Sequence, residues 1–150
     1  MRNYDPKTAA RVWDRVQNAV VPAGDSQLIF NLLTEEALDA ATYLQLSKRL
    51  PTPQAAAVRQ LAQQEQAHIS CLKGIYTMIT GEKAKIQLPK ATDDPPDIVL
   101  RRCYGREMRA LAQYEARQAD PQYGHVFRTL ARQEQEHCHK LLELLGSLPK

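Results

Sequence analysis

The sequence predicts an all-α protein: a four-helix bundle made of two repeated helical hairpins, with a short extra helix at the N-terminus. Two observations support this prediction. A motif with helical spacing is duplicated in the two halves of the chain, and signals for helix starts and ends recur with no strand pattern between them. The length of 150 residues suits one domain with one hydrophobic core.

The duplicated motif is an octapeptide that ends in Glu-x-x-His. Residues 61–68 and residues 130–137 are identical at six of their eight positions, including Leu-Ala at the start, Gln-Glu-Gln in the middle and the final histidine. Upstream of each copy, a glutamate is followed seven residues later by a tyrosine. Each half therefore carries Glu and Tyr on one helix and Glu-x-x-His on the next, which predicts two hairpins that pack on each other.

The first predicted element is an amphipathic helix within residues 1–24. Asp5 before a proline is typical of an N-cap followed by a first-turn proline, and Val12, Val16 and Val20 share one helical stripe. We expect this helix to dock on the bundle, which occupies residues 25–150 as a single domain.

Two long helices form the first predicted hairpin. The first helix begins at Asp25 or Ser26 and continues through Leu50, because its apolar residues recur at helical spacing. The second helix takes Thr52 as its N-cap and continues to Thr80, where a glycine ends it. The short joint between them predicts antiparallel neighbours.

The second predicted hairpin repeats this arrangement. Its first helix opens at Pro95-Pro96 and continues to about Ala119, and Asp120 caps the last helix, which ends at Leu145-Gly146. Residues 82–94 have no clear periodicity, so we expect a long connection that runs the length of the bundle and leads into the second hairpin.

Composition argues against two classes of partner. The net charge is +3, and the arginines of the third long helix are interleaved with acidic and apolar residues. We therefore interpret them as a solvated helix face and expect no nucleic-acid partner. No segment approaches the eighteen apolar residues of a membrane-spanning helix, so we expect no membrane association.

The three cysteines, Cys71, Cys103 and Cys138, form no Cys-x-x-Cys pair, so the sequence contains no rubredoxin-type module. Their odd number and an N-terminus without a signal-peptide pattern predict a cytoplasmic protein. Cys71 follows His68 by three residues and Cys138 adjoins His137. A thiolate ligand is one interpretation of these two cysteines, and a small buried side chain is the preferred one.

Six residues at equivalent places in the two halves form the candidate metal site. Residues three apart on a helix lie about 60° apart around its axis, so a carboxylate and an imidazole at this spacing can bind one ion. Four carboxylates that face one interior repel each other, and two divalent ions balance their charge. The candidate ligands are Glu36, Glu65, His68, Glu107, Glu134 and His137.

Alternatives to this site remain open at the level of sequence. Glu-x-x-His pairs also occur on solvated helix faces, a lone glutamate is simply a good helix former, and Glu35 competes with Glu36 as a ligand. Tyr43 and Tyr114 are as simply explained as core aromatics. Asp39 is preferred as a plain polar residue over an extra carboxylate ligand.

The types of ligand narrow the choice of metal. Carboxylates are hard oxygen donors and imidazole suits iron, manganese or zinc, whereas calcium and magnesium prefer oxygen alone. Zinc favours fewer ligands and often sulfur. The expected cofactor is therefore two iron ions, with manganese or a mixed pair as the alternative.

One Glu on each of two helices, with Glu-x-x-His on each of the other two, resembles the pattern of the ferritin-like di-metal carboxylate proteins. The chain is most similar to their rubrerythrin-type branch, without its rubredoxin domain. Glu-x-x-Ala-x-x-x-Tyr, here Glu107, Ala110 and Tyr114, is typical of those helices, and the first copy has Asp39 in place of the alanine. The resemblance covers about residues 25–146 and implies a ferritin-like four-helix bundle.

The resemblance also implies a role for each ligand. It assigns two bridging glutamates, one histidine on each metal and one terminal glutamate on each metal: Glu65 and Glu134, His68 and His137, and Glu36 and Glu107, respectively. Tyr43 and Tyr114 would then lie behind the ligands, hydrogen-bonded to carboxylates of the opposite hairpin.

The function implied by the resemblance is an oxidoreductase that reduces peroxide or oxygen, with the six ligands as its catalytic residues. It implies a homodimer and an external electron donor such as a rubredoxin-like protein. The extra glutamate that rubrerythrin carries on its third helix is missing here, since Tyr104 and Ala110 occupy the positions three residues either side of Glu107.

Two other functions remain as alternatives. A ferroxidase that feeds iron storage would use the same site within a larger shell of subunits. A helical interaction module without metal would keep the duplicated motif only as part of its structure.

Overall fold

The computed structural model describes residues 23–149, and these residues form four α-helices with no strand among them. Helix α1 is Ala23–Ser47, α2 is Thr52–Thr80, α3 is Pro96–Glu115 and α4 is Gly124–Ser147. The all-α prediction and the two-hairpin arrangement are confirmed. None of these helices is long and apolar enough to cross a membrane. The helix predicted within residues 1–24 lies outside the described residues, except that Ala23 and Gly24 open α1.

Several predicted boundaries were wrong by a few residues. Helix α1 ends at Ser47 rather than Leu50, because the backbone there tightens into turns in which Lys48 and Arg49 donate to carbonyls three residues back. Helix α3 ends at Glu115, and turns occupy residues 116–119. The α4 helix starts only at Gly124, because the Asp120 carboxylate caps a turn formed by residues 120–123 instead of the helix itself.

Helix α2 begins after a proline and ends before a glycine, two residues that commonly mark helix ends. Pro51 is the cap residue and Thr52 is already helical, so the predicted cap at Thr52 was wrong by one position. At the other end, Gly81 adopts φ 73° and its N–H bonds the carbonyl of Thr77. This left-handed conformation favours glycine and ends the helix where the sequence predicted.

The four helices pack as a bundle in which every neighbouring pair is antiparallel. Helices α1 and α2 form one hairpin and α3 and α4 the other, and the hairpins meet through α1 against α3 and α2 against α4. The carboxylate of Asp25 at the start of α1 pairs with Arg117 just beyond α3. The side chain of Gln54 near the start of α2 donates to the Ser147 carbonyl at the end of α4, 3.0 Å away.

The connection between the hairpins follows the bundle from one end to the other. Ala84 and Ile86 pack against the core near the end of α2. Farther along, the carbonyl of Thr92 accepts a hydrogen bond from Gln45, and the carbonyl of Asp94 accepts one from Arg49. The segment thereby places the start of α3 beside the end of α1, as the sequence predicted for a long connection.

The apolar core is divided into two clusters. One contains Ile29, Leu33, Leu72 and Phe127, and the other contains residues from all four helices near the opposite end: Tyr43, Leu46, Val58, Leu61, Val99, Leu100, Leu141 and Leu144. A layer of buried charged residues contributed by all four helices occupies the middle of the bundle. These charged side chains therefore lie between two apolar clusters that exclude solvent.

Replacement of two helical glycines by alanine tests how closely the backbone packs at the start of α4. A Cβ at Gly124 would collide with the backbone carbonyl of Gln118, whereas a Cβ at Gly74 within α2 would meet no atom within 4 Å. We expect Gly124→Ala to destabilise the protein by about 1–3 kcal/mol. Gly74→Ala should stabilise it by up to about 1 kcal/mol, since alanine is the better helix former. Thermal unfolding of both variants measures the difference, and equal shifts would contradict the predicted close approach.

Candidate metal centre

Each of the four helices contributes to one buried polar layer at the middle of the bundle. Helices α1 and α3 each supply one glutamate, and α2 and α4 each supply a glutamate and a histidine one turn later. All six side chains are at most 2 % exposed: Glu36, Glu65, His68, Glu107, Glu134 and His137. The structure thus brings together all six residues that the duplicated motif singled out.

One half of the layer is centred on His68. Its Nδ1 atom lies 2.9 Å from Oε1 of Glu134, 3.3 Å from Oε2 of Glu36 and 3.8 Å from Oε2 of Glu65. These three carboxylates come from three different helices. One imidazole nitrogen is therefore surrounded by oxygen atoms that the chain brings together only by folding.

The other half repeats this geometry around His137. Its Nδ1 atom lies 2.7 Å from Oε1 of Glu65, 3.5 Å from Oε2 of Glu107 and 3.9 Å from Oε2 of Glu134. The two imidazole rings stack with their centroids 5.3 Å apart. The duplication seen in the sequence is thus an approximate twofold symmetry of the site.

The central carboxylates, Glu65 and Glu134, reach both halves. Each turns one oxygen toward His68 and the other toward His137. Ligand atoms from these four residues all lie within 4.8 Å of one another. Each of the two carboxylates therefore faces both imidazoles.

The two tyrosines connect the hairpins through the outer glutamates. Tyr43 of α1 donates its hydroxyl hydrogen to Oε1 of Glu107, and Tyr114 of α3 donates to Oε1 of Glu36, each over 2.9 Å. Burial raises the pKa of both phenols well above 10, so both remain protonated donors at neutral pH. Each tyrosine leaves the Oε2 atom of its glutamate directed toward the nearby histidine.

Two glutamines that sequence reasoning missed orient the histidines. The Nε2 atom of His137 lies 2.8 Å from Oε1 of Gln64, and Nε2 of His68 lies 2.6 Å from Oε1 of Gln133. An amide oxygen accepts hydrogen bonds only, so each Nε2 carries the proton and donates it. When the imidazole is neutral, its lone pair is then on Nδ1 and faces the carboxylates, which is the tautomer needed for ligation. The sequence does mark these two glutamines, because the glutamine before each glutamate is part of the repeated octapeptide.

Asp39 and Arg106 break the approximate symmetry. Asp39 is 3 % exposed, and its Oδ1 accepts a hydrogen bond from Nε of Arg106 over 2.6 Å. Interpreting Asp39 as a plain polar residue was therefore wrong, since it belongs to a buried ion pair between α1 and α3. The equivalent position in the second hairpin is Ala110, so only one side of the site has this pair. Arg106 was missed because it falls among several arginines that the sequence assigned to a solvated face.

The remaining sequence candidates are not part of this cluster. Glu35 is only partly buried, whereas Glu36 is 2 % exposed and contacts both Tyr114 and His68. Cys138 is buried, and burial raises the pKa of its thiol to about 11. Cys71 is partly buried, and burial raises its pKa as well. Both thiols are therefore protonated at neutral pH and do not present thiolates to the cluster.

The charges of the layer depend strongly on each other when no metal is present. Burial raises the pKa of Glu65 to about 7. Burial also opposes the charge of His137, but its contacts with Glu107 and Glu65 outweigh this effect and raise its pKa to about 9. The same contact with His137 helps to hold the pKa of Glu107 below its ordinary value despite its burial. Protons thus occupy the site in the absence of another cation.

The arrangement of acceptor atoms fits a metal better than it fits protons alone. All four carboxylate oxygens of Glu65 and Glu134 and the Nδ1 atom of His137 are buried without a hydrogen-bond partner. His137 Nδ1 and Glu65 Oε1 are only 2.7 Å apart but lack the alignment of a hydrogen bond. Buried polar atoms are costly unless they are paired, so their convergence indicates a site for a cation. The described residues thus contain a candidate metal site.

Comparison with known proteins adds no further assignment. No protein-family model, no curated protein and no solved structure matches this chain.

We predict that the metal-free protein loses stability as the pH rises from about 6 to 9. The pKa of His137 is raised from 6.5 to about 9, so its contribution is complete below pH 6.5 and is lost as the pH passes 9. The pKa of Glu65 is raised from 4.5 to about 7, so the folded state favours its protonated form and loses stability as the pH passes 7. Both groups act in the same direction, because the folded state binds more protons than the unfolded state.

Thermal unfolding in the presence of a chelator, measured at intervals across this range, tests the prediction. A melting temperature that stays constant or rises between pH 6 and 9 would contradict it. Bound metal should remove the decline, since a cation competes with the proton for His137 Nδ1 and gains affinity as the ligands deprotonate.

Proposed function

We propose that this chain is a rubrerythrin-like di-metal carboxylate oxidoreductase that reduces peroxide or oxygen, with two iron ions as its cofactor. The observation that carries the proposal is the buried layer in which four carboxylates and two imidazoles converge from four helices. The approximate twofold symmetry of this layer supports two ions rather than one, because each imidazole has its own set of carboxylates.

Electrostatics supports the same number of ions. The four buried glutamates carry four negative charges when ionised, and the two neutral imidazoles carry none. Two divalent ions would supply the four positive charges that balance the layer. Nearby, Asp39 is paired with Arg106 and so adds no unbalanced negative charge to the layer. A layer of this kind buried without cations would have to bind protons, as the raised pKa values of Glu65 and His137 indicate.

The donor atoms support iron or manganese as the metal. Both ions accept a mixture of carboxylate oxygen and imidazole nitrogen and tolerate five or six ligands with open positions. Iron is preferred for the proposed reaction, because two redox-active ions side by side supply two electrons at once to a peroxide or oxygen molecule. Manganese remains the alternative.

The protein's contribution would be geometry, tautomer and exclusion of water. Gln64 and Gln133 hold the imidazoles with Nδ1 directed inward, and Tyr43 and Tyr114 each hold one outer carboxylate by a single oxygen. The apolar clusters at both ends of the layer limit water. These constraints would favour substrate binding at the metals over uncontrolled release of reactive oxygen species.

Electrons would come from an external donor. The three cysteines lie in separate helices as free thiols, two of them buried, and the chain contains no Cys-x-x-Cys pair. A small redox protein of the rubredoxin type remains the expected donor, and a cytoplasmic homodimer remains the expected form of the protein. Light scattering distinguishes that dimer from the large shell required by the alternative, an iron-storage ferroxidase.

The first test is the metal content of protein purified without chelator. We expect about two iron or manganese ions per chain. His68→Ala should lose at least one of them and abolish the oxidation of the ferrous protein by peroxide, because it removes a ligand atom that three carboxylates surround. His125→Ala is the matched control, since this histidine is exposed at the start of α4 and should change neither property.

Two outcomes would contradict the proposal. Absence of metal, with no uptake when ferrous ion is added without oxygen, would favour the metal-free interaction module. Normal rates of peroxide-driven oxidation in His68→Ala, measured by stopped-flow absorbance, would show that the site is not the reaction centre.

A further inference from the structure

The buried layer contacts the surface of the bundle through one of its histidines. All six candidate ligands are at most 2 % exposed, so an ion must pass between side chains to reach them. A cavity of about 290 Å³ between α2 and α4 is lined by Gln60, Gln64 and Glu136, and its lining also includes His137. A water molecule takes about 30 Å³ in the liquid, so this cavity holds several waters and has room for a hydrated ion.

We propose that this α2–α4 cavity is the route by which divalent metal ions enter the site, with Gln64 closing its inner end. The inference rests on the proposed metal centre but adds to it an entrance and a residue that controls passage. The His137 half of the centre is then the half through which ions arrive and leave. The His68 half is reached only by way of it.

The composition of the cavity suits a cation. Its lining carries the carboxylates of Glu136 and Glu143, the imidazole of His139 and the amides of two glutamines. Lys140 is the one cation of the lining, and it lies 3.7 Å from Glu143 in a largely exposed pair. Weak oxygen and nitrogen ligands of this kind replace water around an ion without holding it tightly, as a passage requires.

Gln64 is placed to act as the inner barrier. It is an exposed residue that lines the cavity, and its amide oxygen lies 2.8 Å from Nε2 of His137. This amide closes the bottom of the cavity by one hydrogen bond. Rotation of an exposed side chain costs little and takes place on a nanosecond scale, so the barrier opens without disturbing the helices.

The other end of the same helix pair differs, although the sequence repeat makes it the counterpart. A cavity of about 860 Å³ lies there, but its lining includes neither His68 nor Gln133. The residues that correspond to Glu136, Lys140 and Glu143 in the repeat are Ala67, Cys71 and Gly74. The lining of the larger cavity contains no carboxylate but includes two lysines, Lys73 and Lys83, so it suits a cation less well and does not reach the candidate ligands.

The α1–α3 face is closed by the buried ion pair. A cavity of about 210 Å³ on that face is lined by Arg106, but the contact of Arg106 with Asp39 stands between it and Glu107. Passage there requires separation of the partly buried Arg106 from the buried Asp39, which would leave Asp39 without its partner. Among the cavities described, the α2–α4 cavity beside His137 thus has the smallest barrier.

The experiment fills the cavity without touching a ligand. Gln60→Phe and Ala57→Phe each place a ring in the lining, whereas Thr129→Phe and Val126→Phe place the same ring at the corresponding positions of the repeat. Metal-free proteins are mixed with cobalt(II), and uptake is followed by the visible absorption of the bound ion. We expect about tenfold slower uptake in the first two variants, which corresponds to a modestly higher barrier. The control variants should load at the rate of the unmodified protein.

The amount of cobalt bound at equilibrium separates the possible failures. An unmodified protein that binds no cobalt would overturn the metal centre and this inference with it. Full binding in all proteins, with equal uptake rates in Gln60→Phe, Ala57→Phe and the controls, would overturn the entrance alone. Circular dichroism identifies a variant that fails to fold, and the second cavity-filling variant then decides the question.

Discussion

The structure depends on the burial of four carboxylates beside two imidazoles in the middle of an apolar bundle. Each isolated charge in such a place would cost several kcal/mol, so the layer is stable only when cations or protons balance it. Burial raises the pKa of Glu65, and contacts with Glu107 and Glu65 raise that of His137, so both groups bind protons readily. The same electrostatic strain makes a metal cation a favourable occupant, so the proposed function and the stability of the fold are coupled.

The approximate twofold symmetry explains why the hairpins pack in only one way. Tyr43 reaches from the first hairpin to Glu107 of the second, and Tyr114 reaches back to Glu36. Gln64 and Gln133 make reciprocal contacts between α2 and α4. A shift of one hairpin along the other would break all four contacts together and leave buried polar groups unpaired, so the polar layer specifies the register while the apolar clusters supply most of the stabilisation.

The two halves of the site differ in the residues that surround the ligands. The pair formed by Asp39 and Arg106 closes the face between α1 and α3 on one side only. On the face between α2 and α4, the cavity beside His137 is lined by carboxylates, whereas the cavity at the other end of this face has lysines and no carboxylate. Duplication of a hairpin supplied equivalent ligand sets, and divergence of the residues around them made one half of the site more accessible than the other.

The sequence by itself determined the helices, their pairing and the six candidate ligands. Helical periodicity and the residues that start or end helices act locally. The repeated octapeptide marks equivalent positions even when no contacts are known. Glu36 and Glu107 were found in the same way, because each precedes a tyrosine by a helical interval in both halves. The helix ends were predicted less accurately. The Asp120 carboxylate, for example, accepts hydrogen bonds within a turn instead of capping the helix that follows.

Only the tertiary structure decided which groups surround those ligands. Gln64 contacts a histidine 73 residues away and Arg106 contacts an aspartate 67 residues away. The repeat marks Gln64 but does not identify its partner, and no local pattern distinguishes Arg106 from the solvated arginines around it. Their roles arise when helices distant in sequence pack side by side, because a long polar side chain takes its partner from whichever helix lies opposite. For the same reason, the cavity beside His137 exists only between two packed helices and leaves no signal in either one alone.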